Sequence, residues 1–446
     1  MKVFGKKILS AITVSMAIAL MSCSTPAADY SVPSNPLNVR ADWGEDGSIT
    51  VRWDNTSDSS LWGVELTAEP ADGVFANPIY LKNVSSFKTG FLNEGTYYKF
   101  TVKSMNKNLS TSSGSSSVPV KFIKNYDWYE TPITEDGKPA TKTTTGSILF
   151  GRFPSTLLAD SNVIIDENSY VIKGGINYYR GNDGEYYAKI EKKVGSNTVV
   201  RYYKVEPVKW KIVKNDFQYS GTKKACLLMS ENVISGERFY LSGNDYSSPY
   251  RTIDGKTAWG NNYQCSTIRA YLNGLSWEQK KTASSSQETI SEFVNNGFLQ
   301  GVFTEEAQKK ILVTTVVNDG NSTTDTAGKV EKITTGFWSS STEDKIFLPS
   351  VYEISSLFAS GTTSTSASEA RRKVATDYAV GKVYHYNSDF KTATFWLRSP
   401  APDGLNSNTT KDSKWIRCVS PVGTLYNSFN EDRSIEGLVP AFCMEL

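Results

Sequence analysis

Strict alternation of apolar and polar residues predicts β-strands in the first quarter of the chain. It occurs in residues 48–53 (SITVRW) and in residues 96–103 (TYYKFTVK). A period of two is typical of a strand with one buried face. The predicted inward positions are Ile49, Val51 and Trp53 in the first segment and Tyr98, Phe100 and Val102 in the second. Asp-Gly and Glu-Gly turn signals between such runs favour a β-sandwich of about 100 residues.

From Gly146 onward, the pattern predicts a mixture of strands and helices. Strand-like runs occupy residues 147–153, 202–213 and 224–230, and short strands return at 415–425 and 435–445. Helices are indicated where a capping residue precedes apolar positions at helical spacing. The predicted helices cover residues 266–274, 304–312 and 350–358. The fold class expected is therefore multidomain, with an all-β sandwich followed by a C-terminal α+β domain.

The start of the chain has the layout of an export signal. Lysines precede an apolar run at residues 8–20, which is shorter than the ~20 residues that a membrane-spanning helix needs. The sequence Leu20-Met-Ser-Cys23 resembles the lipobox of bacterial lipoproteins. That resemblance implies a signal peptide over residues 1–22, a diacylglyceryl group on Cys23, and a lipid anchor as the link to the membrane. The alternative is an ordinary signal peptide followed by an incidental cysteine.

The segments after the signal predict a tether at residues 23–33, a domain at 34–123 and a polar linker at 124–145. The domain resembles the fibronectin type III family. Trp53 matches the core tryptophan of the second strand in that family, and residues 92–102 (LNEGTYYKFTV) resemble its L-x-P-G-T-x-Y-x-F-x-V stretch. The resemblance places Tyr98 at the tyrosine-corner position. It implies a spacer, since the matching residues account for core packing.

Residues 146–446 resemble a family of bacterial extracytoplasmic domains of unknown function, DUF6273. The resemblance rests on five segments in order along the chain. They are YYKVEPVKW at 202–210, CSTIRAYLN at 265–273, FLPSVYE at 347–353, FWLRSP at 395–400 and GLVPA at 437–441. Val439 stands where the family commonly has arginine, so any role of that arginine is in doubt here. The layout also resembles, more distantly, C-type-lectin-like domains.

Charge excludes some classes of partner. The chain has 48 basic and 46 acidic residues, and removal of the three lysines of the signal segment leaves 45 against 46. Because charge is also spread evenly, the composition predicts neither nucleic-acid binding nor electrostatic attachment to anionic lipid. The single histidine, His385, cannot by itself build a histidine metal site, so we expect no metal and no cofactor.

Four cysteines remain after Cys23, and none of their spacings is CxxC. An exported protein can form disulfides. Cys418 and Cys443 both lie in strand-like segments near the C-terminus, which favours a bridge between them. Free buried thiols are the alternative.

Trp396 and Arg398 are the best candidates for a ligand-binding surface. Two residues apart on a strand they share a face, and an arginine beside an indole can stack or hold a carboxylate. Asp403 and Asn406 follow in a loop at 403–408 that extends the candidate site. The alternatives are a buried tryptophan with a structural arginine, and a plain turn at Asp403-Gly404.

Two classes of function follow. The first is a lipid-anchored, extracytoplasmic, non-enzymatic binding or adhesion protein on the bacterial cell envelope (the outer membrane or cell surface), with a glycan or protein ligand. The second is a cell-envelope enzyme acting on polysaccharide or peptide through carboxylates that the sequence does not pair. The sequence contains no P-loop, GxSxG or HExxH motif. We therefore expect no catalytic residues and favour the binding protein.

Substitution of the lipobox cysteine tests the anchor. Cys23→Ala removes the thiol that takes the acyl chains, each of which contributes ~0.8 kcal/mol per buried CH₂ group. The variant is expected to leave the membrane fraction, while the parent chain carries an acyl mass on its mature N-terminus. Fractionation and mass spectrometry of both chains check this. A variant that stays with the membrane, together with a parent that carries no acyl mass, contradicts the lipobox interpretation.

Overall fold

The computed structural model describes most of the chain beyond the signal segment. The described residues are 30–43, 48–90, 92–240, 251–253, 256–258, 261–279, 286, 288–318, 339–358, 367–400, 415–429 and 435–446. The predictions about the signal peptide, Cys23 and the loop 403–408 fall outside these residues.

The chain forms two compact units. The first consists of residues up to 41 with 50–90 and 99–118, and the second consists of residues 42–49, 91–98 and 119–446.

The first eight strands lie in the N-terminal region, mostly in the first unit. They are β1 (Leu37–Trp43), β2 (Ile49–Asp54), β3 (Gly63–Glu69), β4 (Ile79–Leu81), β5 (Ser86–Lys88), β6 (Tyr97–Met105), β7 (Ser115–Ser116) and β8 (Val120–Lys121). One sheet has the order β1-β2-β5, and the other has the order β4-β3-β6-β7 with β8 also paired to β6. Phe75 contacts Phe87 of one sheet and Phe100 of the other, with ring centroids 6.1 and 5.4 Å apart.

The alternation predicted for β2 and β6 is confirmed. All six predicted inward residues are at most 1% exposed. Arg52, which lies between Val51 and Trp53 on β2, is exposed. Trp53 is 1% exposed, and its indole N–H donates to Asn55 Oδ1 at 2.9 Å. The strands thus bury one face each, and the N-terminal region is all-β.

Twenty-two further strands lie in the described part of the second unit. The longer of them are β10 (Ser147–Leu157), β11 (Ile165–Lys173), β12 (Ile176–Gly181), β13 (Tyr186–Val194), β14 (Asn197–Ser220), β15 (Lys223–Ser230), β26 (Phe395–Pro400), β27 (Trp415–Val419), β28 (Leu425–Phe429) and β30 (Ala441–Met444). The short ones are β9 (Ile133–Thr134), β16 (Ser235–Glu237), β17 (Arg251–Ile253), β18 (Lys256–Ala258), β19 (Trp277–Gln279), β20 (Glu288–Ile290), β21 (Ile311–Leu312), β22 (Thr314–Val316), β23 (Thr342–Asp344), β24 (Tyr386–Asn387), β25 (Thr392–Ala393) and β29 (Glu436–Leu438).

A nine-stranded sheet is the framework of the second unit. Its order is β11-β12-β13-β14-β15-β30-β21, and β10 pairs with β14 and β9. β14 is 24 residues long, and it pairs in turn with β13, β10 and β15. Pro207, which has no N–H to donate, lies beside a register shift between β10 and β14. Gly151 occupies that shift at φ 69°, where a Cβ would meet Val302 Cγ1 at 2.7 Å.

A five-stranded sheet holds the FWLRSP segment at its centre. Its order is β16-β29-β26-β27-β28, so β26 has a partner strand on both sides. β26 runs parallel to β29 and antiparallel to β27. All six residues of β26 are buried. Four two-stranded sheets complete the strands of the described residues.

Five short helices accompany these sheets in the part of the chain that the structure describes. They are α1 (Thr267–Asn273), α2 (Phe298–Val302), α3 (Glu305–Lys310), α4 (Val351–Phe358) and α5 (Asp377–Val380). The three helices predicted from capping signals are confirmed as α1, α3 and α4. Ser266 and Thr304 cap α1 and α3, and Gly274 closes α1 at φ 66°. α3 ends at Lys310 because Ile311 and Leu312 pair with β30 instead of extending the helix.

The polar segment expected to be a linker is packed into the second unit. β9 pairs with β10, and the Trp128 ring stacks on Tyr186 at 5.4 Å. The Arg152 Nε donates to the Asp127 carbonyl at 2.6 Å. Part of the segment predicted as a linker at 124–145 thus contacts the second unit, because its few aromatic side chains find partners that local composition does not reveal.

No helix among the described residues is both long and apolar enough to cross a bilayer.

Truncation of Trp53 tests the core of the N-terminal region. Trp53→Ala is expected to cost roughly 3–5 kcal/mol of stability, the range for removal of a large buried ring. Hydrogen exchange of the β2 and β6 peptides, measured on the full mature chain, reports this loss. The matched control is Tyr80→Ala, since the Tyr80 side chain is 58% exposed. If the Trp53 variant loses no more hydrogen-exchange protection than the control variant does, the assignment of Trp53 to the core is contradicted.

Candidate ligand-binding site

The N-terminus of α4 is closed by a reciprocal pair of hydrogen bonds. The Glu353 N–H donates to Ser350 Oγ at 3.1 Å, and the Ser350 N–H donates to Glu353 Oε2 at 2.9 Å. This is the capping box that the sequence predicts. The Val351 N–H donates to Ser399 Oγ at 3.0 Å, which ties the first turn of the helix to β26. Local sequence therefore fixes where the Glu353 carboxylate lies.

Arg398 on β26 meets that carboxylate with both ends of its guanidinium. Nη1 donates to Glu353 Oε2 at 2.6 Å, and Nη2 donates to Glu353 Oε1 at 2.7 Å. Two carbonyls accept the other bonds, Leu348 O from Nη1 at 2.8 Å and Val317 O from Nε at 3.1 Å. Arg398 is 4% exposed and Glu353 is 7% exposed. Such a planar, bidentate and buried pair is among the strong ion pairs of proteins.

A cavity of about 470 Å³ opens above this ion pair. Its apolar walls are Phe217, Val316, Val317 and Phe347. Its polar lining is Gln218, Thr314, Thr315, Ser350 and Tyr352, with Glu353 and Arg398. Residues from β14, β22, α4 and β26 thus converge on one space. Apolar walls with a few polar groups are typical of a site that takes a small ligand or a side chain.

The ion pair limits what this cavity can do chemically. Glu353 accepts two hydrogen bonds from Arg398 and one from the Ser350 N–H. A general acid or base must be available to exchange a proton with a substrate. The Glu353 carboxylate is instead committed to the helix cap and the guanidinium. The arrangement is suited to holding a ligand by shape and hydrogen bonds.

Two further carboxylates of the second unit, those of Asp344 and Asp377, are also engaged. Asp344 is buried and accepts from Arg269 Nε at 2.8 Å and from Thr342 Oγ1 at 2.6 Å. Burial alone would lower the pKa of Arg269, but the charge of Asp344 raises it overall. Asp377 Oδ2 accepts from the Leu157 N–H at 2.9 Å. Among the described residues, no group of three His, Cys, Asp or Glu side chains could hold a metal ion.

Trp396 does not form the exposed aromatic–guanidinium surface that we expected. Its side chain is fully buried, its indole N–H donates to the Glu237 carbonyl at 2.8 Å, and its ring packs edge-on against Phe239 at 5.6 Å. Arg398 is buried as well and is paired with Glu353. The expectation of a surface was wrong because residues from other elements cover both side chains: Phe239 packs on Trp396, and Glu353 of α4 pairs with Arg398. Arg398 nevertheless lines a cavity, whereas Trp396 belongs to the core.

Cys418 and Cys443 are not bridged. Both are buried thiols, as are Cys226 and Cys265. Cys418 is on β27 of the five-stranded sheet, Cys443 is on β30 of the nine-stranded sheet, and the expected disulfide between them is not formed. Burial raises the pKa of the Cys443 thiol to about 12, so this thiol stays protonated at neutral pH.

Three of the predicted site residues lie outside the described residues. They are Cys23, Asp403 and Asn406. His385, which we did not expect to be catalytic, lies with Nδ1 2.6 Å from Glu436 Oε1.

Sequence reasoning missed the walls of the cavity. Phe217 and Gln218 lie near the end of the long strand β14, and residues 314–317 form β22 and its exit. None of them belongs to a motif. The β-branched residues 314–317 (TTVV) favour a strand but do not say which segment of the chain it faces.

Together these features define a β-rich, two-unit protein with a ligand-sized cavity beside a buried ion pair. The family described as "Domain of unknown function (DUF6273)" matches residues 223–446, which is half of the chain. The chain belongs to this family. The match confirms the expected resemblance over those residues.

Comparison with other proteins adds little about function. No curated protein matches the chain. A solved chain titled "Myokine structure" is 25% identical, covers 21% of this chain and 99% of its own, and has a TM-score of 0.17. The twitchin kinase region from C. elegans is 13% identical, covers 39% of this chain and 40% of its own, and has a TM-score of 0.19.

A double-mutant cycle tests whether Glu353 and Arg398 act as one unit. Arg398→Met leaves a buried carboxylate without its partner and is expected to cost roughly 3–5 kcal/mol of stability. Adding Glu353→Gln, which retains an oxygen for the helix cap, is expected to restore part of that loss. Denaturant unfolding of the four chains measures the coupling. Lys309→Met, in the exposed pair with Glu306, is the control. Strictly additive effects contradict the coupled pair.

Proposed function

We propose that this chain is a lipid-anchored protein of the bacterial cell envelope that binds a ligand without turning it over. In this proposal the acyl group on Cys23 holds the chain on the membrane, with its folded part on the extracytoplasmic side. The DUF6273-family domain carries the binding site, and the N-terminal domain holds that site away from the bilayer. The support for the anchor is the lipobox-like sequence Leu20–Cys23 behind a short apolar run.

We further propose that the N-terminal domain is a fibronectin type III-like spacer. Two features support this. The Trp53 ring is buried in the core of the domain. The Asn93 N–H donates to the Tyr98 hydroxyl at 3.0 Å, which resembles the bond that a tyrosine corner makes with the backbone a few residues upstream. A C-type-lectin-like fold for the second domain is a more distant analogy, and fold alone carries no function.

The observation that carries the binding proposal is the state of Glu353. Its carboxylate lines the 470 Å³ cavity. This carboxylate accepts hydrogen bonds from Arg398 and from the Ser350 N–H. A cavity with aliphatic and aromatic walls, whose carboxylate is already engaged, favours retention of a ligand over hydrolysis. This is why we favour the binding protein over an enzyme acting on polysaccharide or peptide.

The lining also indicates what kind of ligand part enters the cavity. The apolar walls fit an aliphatic or aromatic group, and the hydroxyl and amide side chains of Thr315, Tyr352 and Gln218 offer hydrogen bonds at the rim. A peptide side chain of a protein ligand and a substituted sugar both satisfy this description. The balanced charge of the mature chain argues against nucleic acid as the partner.

Filling the cavity tests the proposal. Val317 lines the cavity and is 37% exposed, so Val317→Trp is expected to fill the space with little effect on folding. The full mature chain carrying Cys23→Ala is screened on a glycan and matrix-protein array, with and without Val317→Trp. We expect the parent to bind at least one array component and the filled variant to lose it, with melting temperatures within about 2 °C of each other.

The matched control is Val313→Trp, four residues earlier on the same segment, at a position that is 48% exposed and away from the cavity lining. This variant is expected to bind as the parent does. Binding that survives Val317→Trp, or a parent that binds nothing on the array, contradicts the proposal.

A further inference from the structure

A second surface of the DUF6273-bearing unit carries a row of tyrosines. Tyr170 of β11, Tyr179 of β12 and Tyr202 of β14 lie on one face of the sheet, which we call the tyrosine face. The ring centroids of Tyr170 and Tyr179 are 5.7 Å apart, and those of Tyr179 and Tyr202 are 6.4 Å apart. The rings are tilted by 57° and 89° to each other, so they form a twisted surface.

This face is turned away from the core. The residues that alternate with it, such as Tyr178 and Tyr203, are at most 1% exposed and belong to the core cluster. Tyr170 is 48% exposed, and Ile172 beside it is 63% exposed. Apolar and aromatic side chains gathered on one open face are more often a binding surface than a packing accident. The cavity beside Glu353 involves none of these residues.

A cleft adjoins the tyrosine face where two strands separate. β12 and β13 pair from Tyr178–Ala188 to Arg180–Tyr186, whereas β13 and β14 stay paired as far as Val194 and Asn197. A cavity of about 360 Å³ lies where β12 and β13 diverge. Asn177, Tyr179, Lys189 and Glu191 line it. Aromatic rings and polar side chains therefore meet along one continuous path.

One lysine and two glutamates lie beside the rings, so this cluster has one more negative than positive charge. Lys189 Nζ lies 2.9 Å from Glu167 Oε2 and 2.9 Å from Glu191 Oε1. The lysine side chain is 19% exposed, while the two glutamates are 49% and 55% exposed. Because Lys189 is engaged by both carboxylates, it is poorly placed to attract an anionic polymer. The Tyr202 hydroxyl also donates to Glu167 Oε1, so both oxygens of Glu167 and one oxygen of Glu191 already accept a hydrogen bond. Each carboxylate oxygen has a second lone pair, which is an acceptor suited to hydroxyl groups.

We propose that the tyrosine face and its cleft bind a neutral polysaccharide chain. The C–H faces of successive pyranose rings pack on Tyr170, Tyr179 and Tyr202, and ring hydroxyls donate to Glu167 and Glu191. A tyrosine supplies an apolar ring with a polar end, which matches a sugar that has an apolar face and a polar rim. This polysaccharide site is independent of the cavity beside Glu353 and of its proposed ligand. It gives the chain a second binding site.

Affinity electrophoresis tests this proposal on the full mature chain carrying Cys23→Ala. The gels contain hydroxyethylcellulose, laminarin, mannan, xylan or soluble starch, and alginate serves as the anionic comparison. We expect at least one neutral polysaccharide to retard the chain. Tyr170→Ala is expected to weaken that binding about tenfold, the upper range for one aromatic contact. Tyr170→Phe, which keeps the ring, is expected to bind within about twofold of the parent.

Two control variants and a second test variant show whether the retardation arises at the tyrosine face. Tyr80→Ala removes an exposed tyrosine elsewhere and is expected to change nothing. Val317→Trp fills the cavity beside Glu353 and is also expected to leave retardation intact, so the two proposals fail separately. If Tyr170→Ala lowers the melting temperature, Glu191→Ala takes its place as the test variant. Glu191 is at the exposed rim of the cleft, and its substitution is expected to weaken binding of the same polysaccharide.

Two results would overturn the proposal. One is a parent chain that none of the five neutral polysaccharides retards. The other is retardation that persists unchanged in both Tyr170→Ala and Glu191→Ala. Retardation by alginate alone also counts against it, since it indicates ionic association.

Discussion

The buried ion pair between Glu353 and Arg398 is the interaction on which the second unit's site depends. It joins the first turn of α4, the central strand β26 and the carbonyls of Leu348 and Val317. Two charges removed from water are favourable together only when their hydrogen-bonding groups are satisfied. The carboxylate is satisfied by a guanidinium and a backbone N–H. The pair therefore fixes how the segments around the cavity meet.

The long strand β14 explains how one sheet serves two surfaces. Its first part pairs with β13 and supports the tyrosine face, while its last part pairs with β15 and supplies Phe217 and Gln218 to the cavity. Opposite the middle of β14, the partner strand β10 has an extra residue at Gly151, next to the Arg152–Pro207 pair. Such irregularities bend a strand and re-aim its side chains. The tyrosine face and the cavity beside Glu353 are thus separate sites that both use residues of the nine-stranded sheet.

The expected site at Trp396 and Arg398 shows where local reasoning fails. Residues two apart on a strand do share a face, but whether that face is covered depends on other strands. Phe239 covers Trp396 and Glu353 of α4 covers Arg398, so the alternative of a buried tryptophan with a structural arginine describes the pair better. The same holds for Cys418 and Cys443, whose strands belong to different sheets. Strand propensity carries no information about sheet membership.

The sequence by itself determined local structure. Alternation placed β2 and β6 with their inward residues, and capping signals placed α1, α3 and the Ser350–Glu353 box, because these depend on neighbours within a few residues. The five ordered motifs were enough to indicate the family. Only the tertiary structure decided that Arg398 meets Glu353, that Phe217 and Val317 line the same cavity, and that β12 and β13 separate. These contacts join segments far apart in the chain, and the packing that selects them leaves no periodic signal in the sequence.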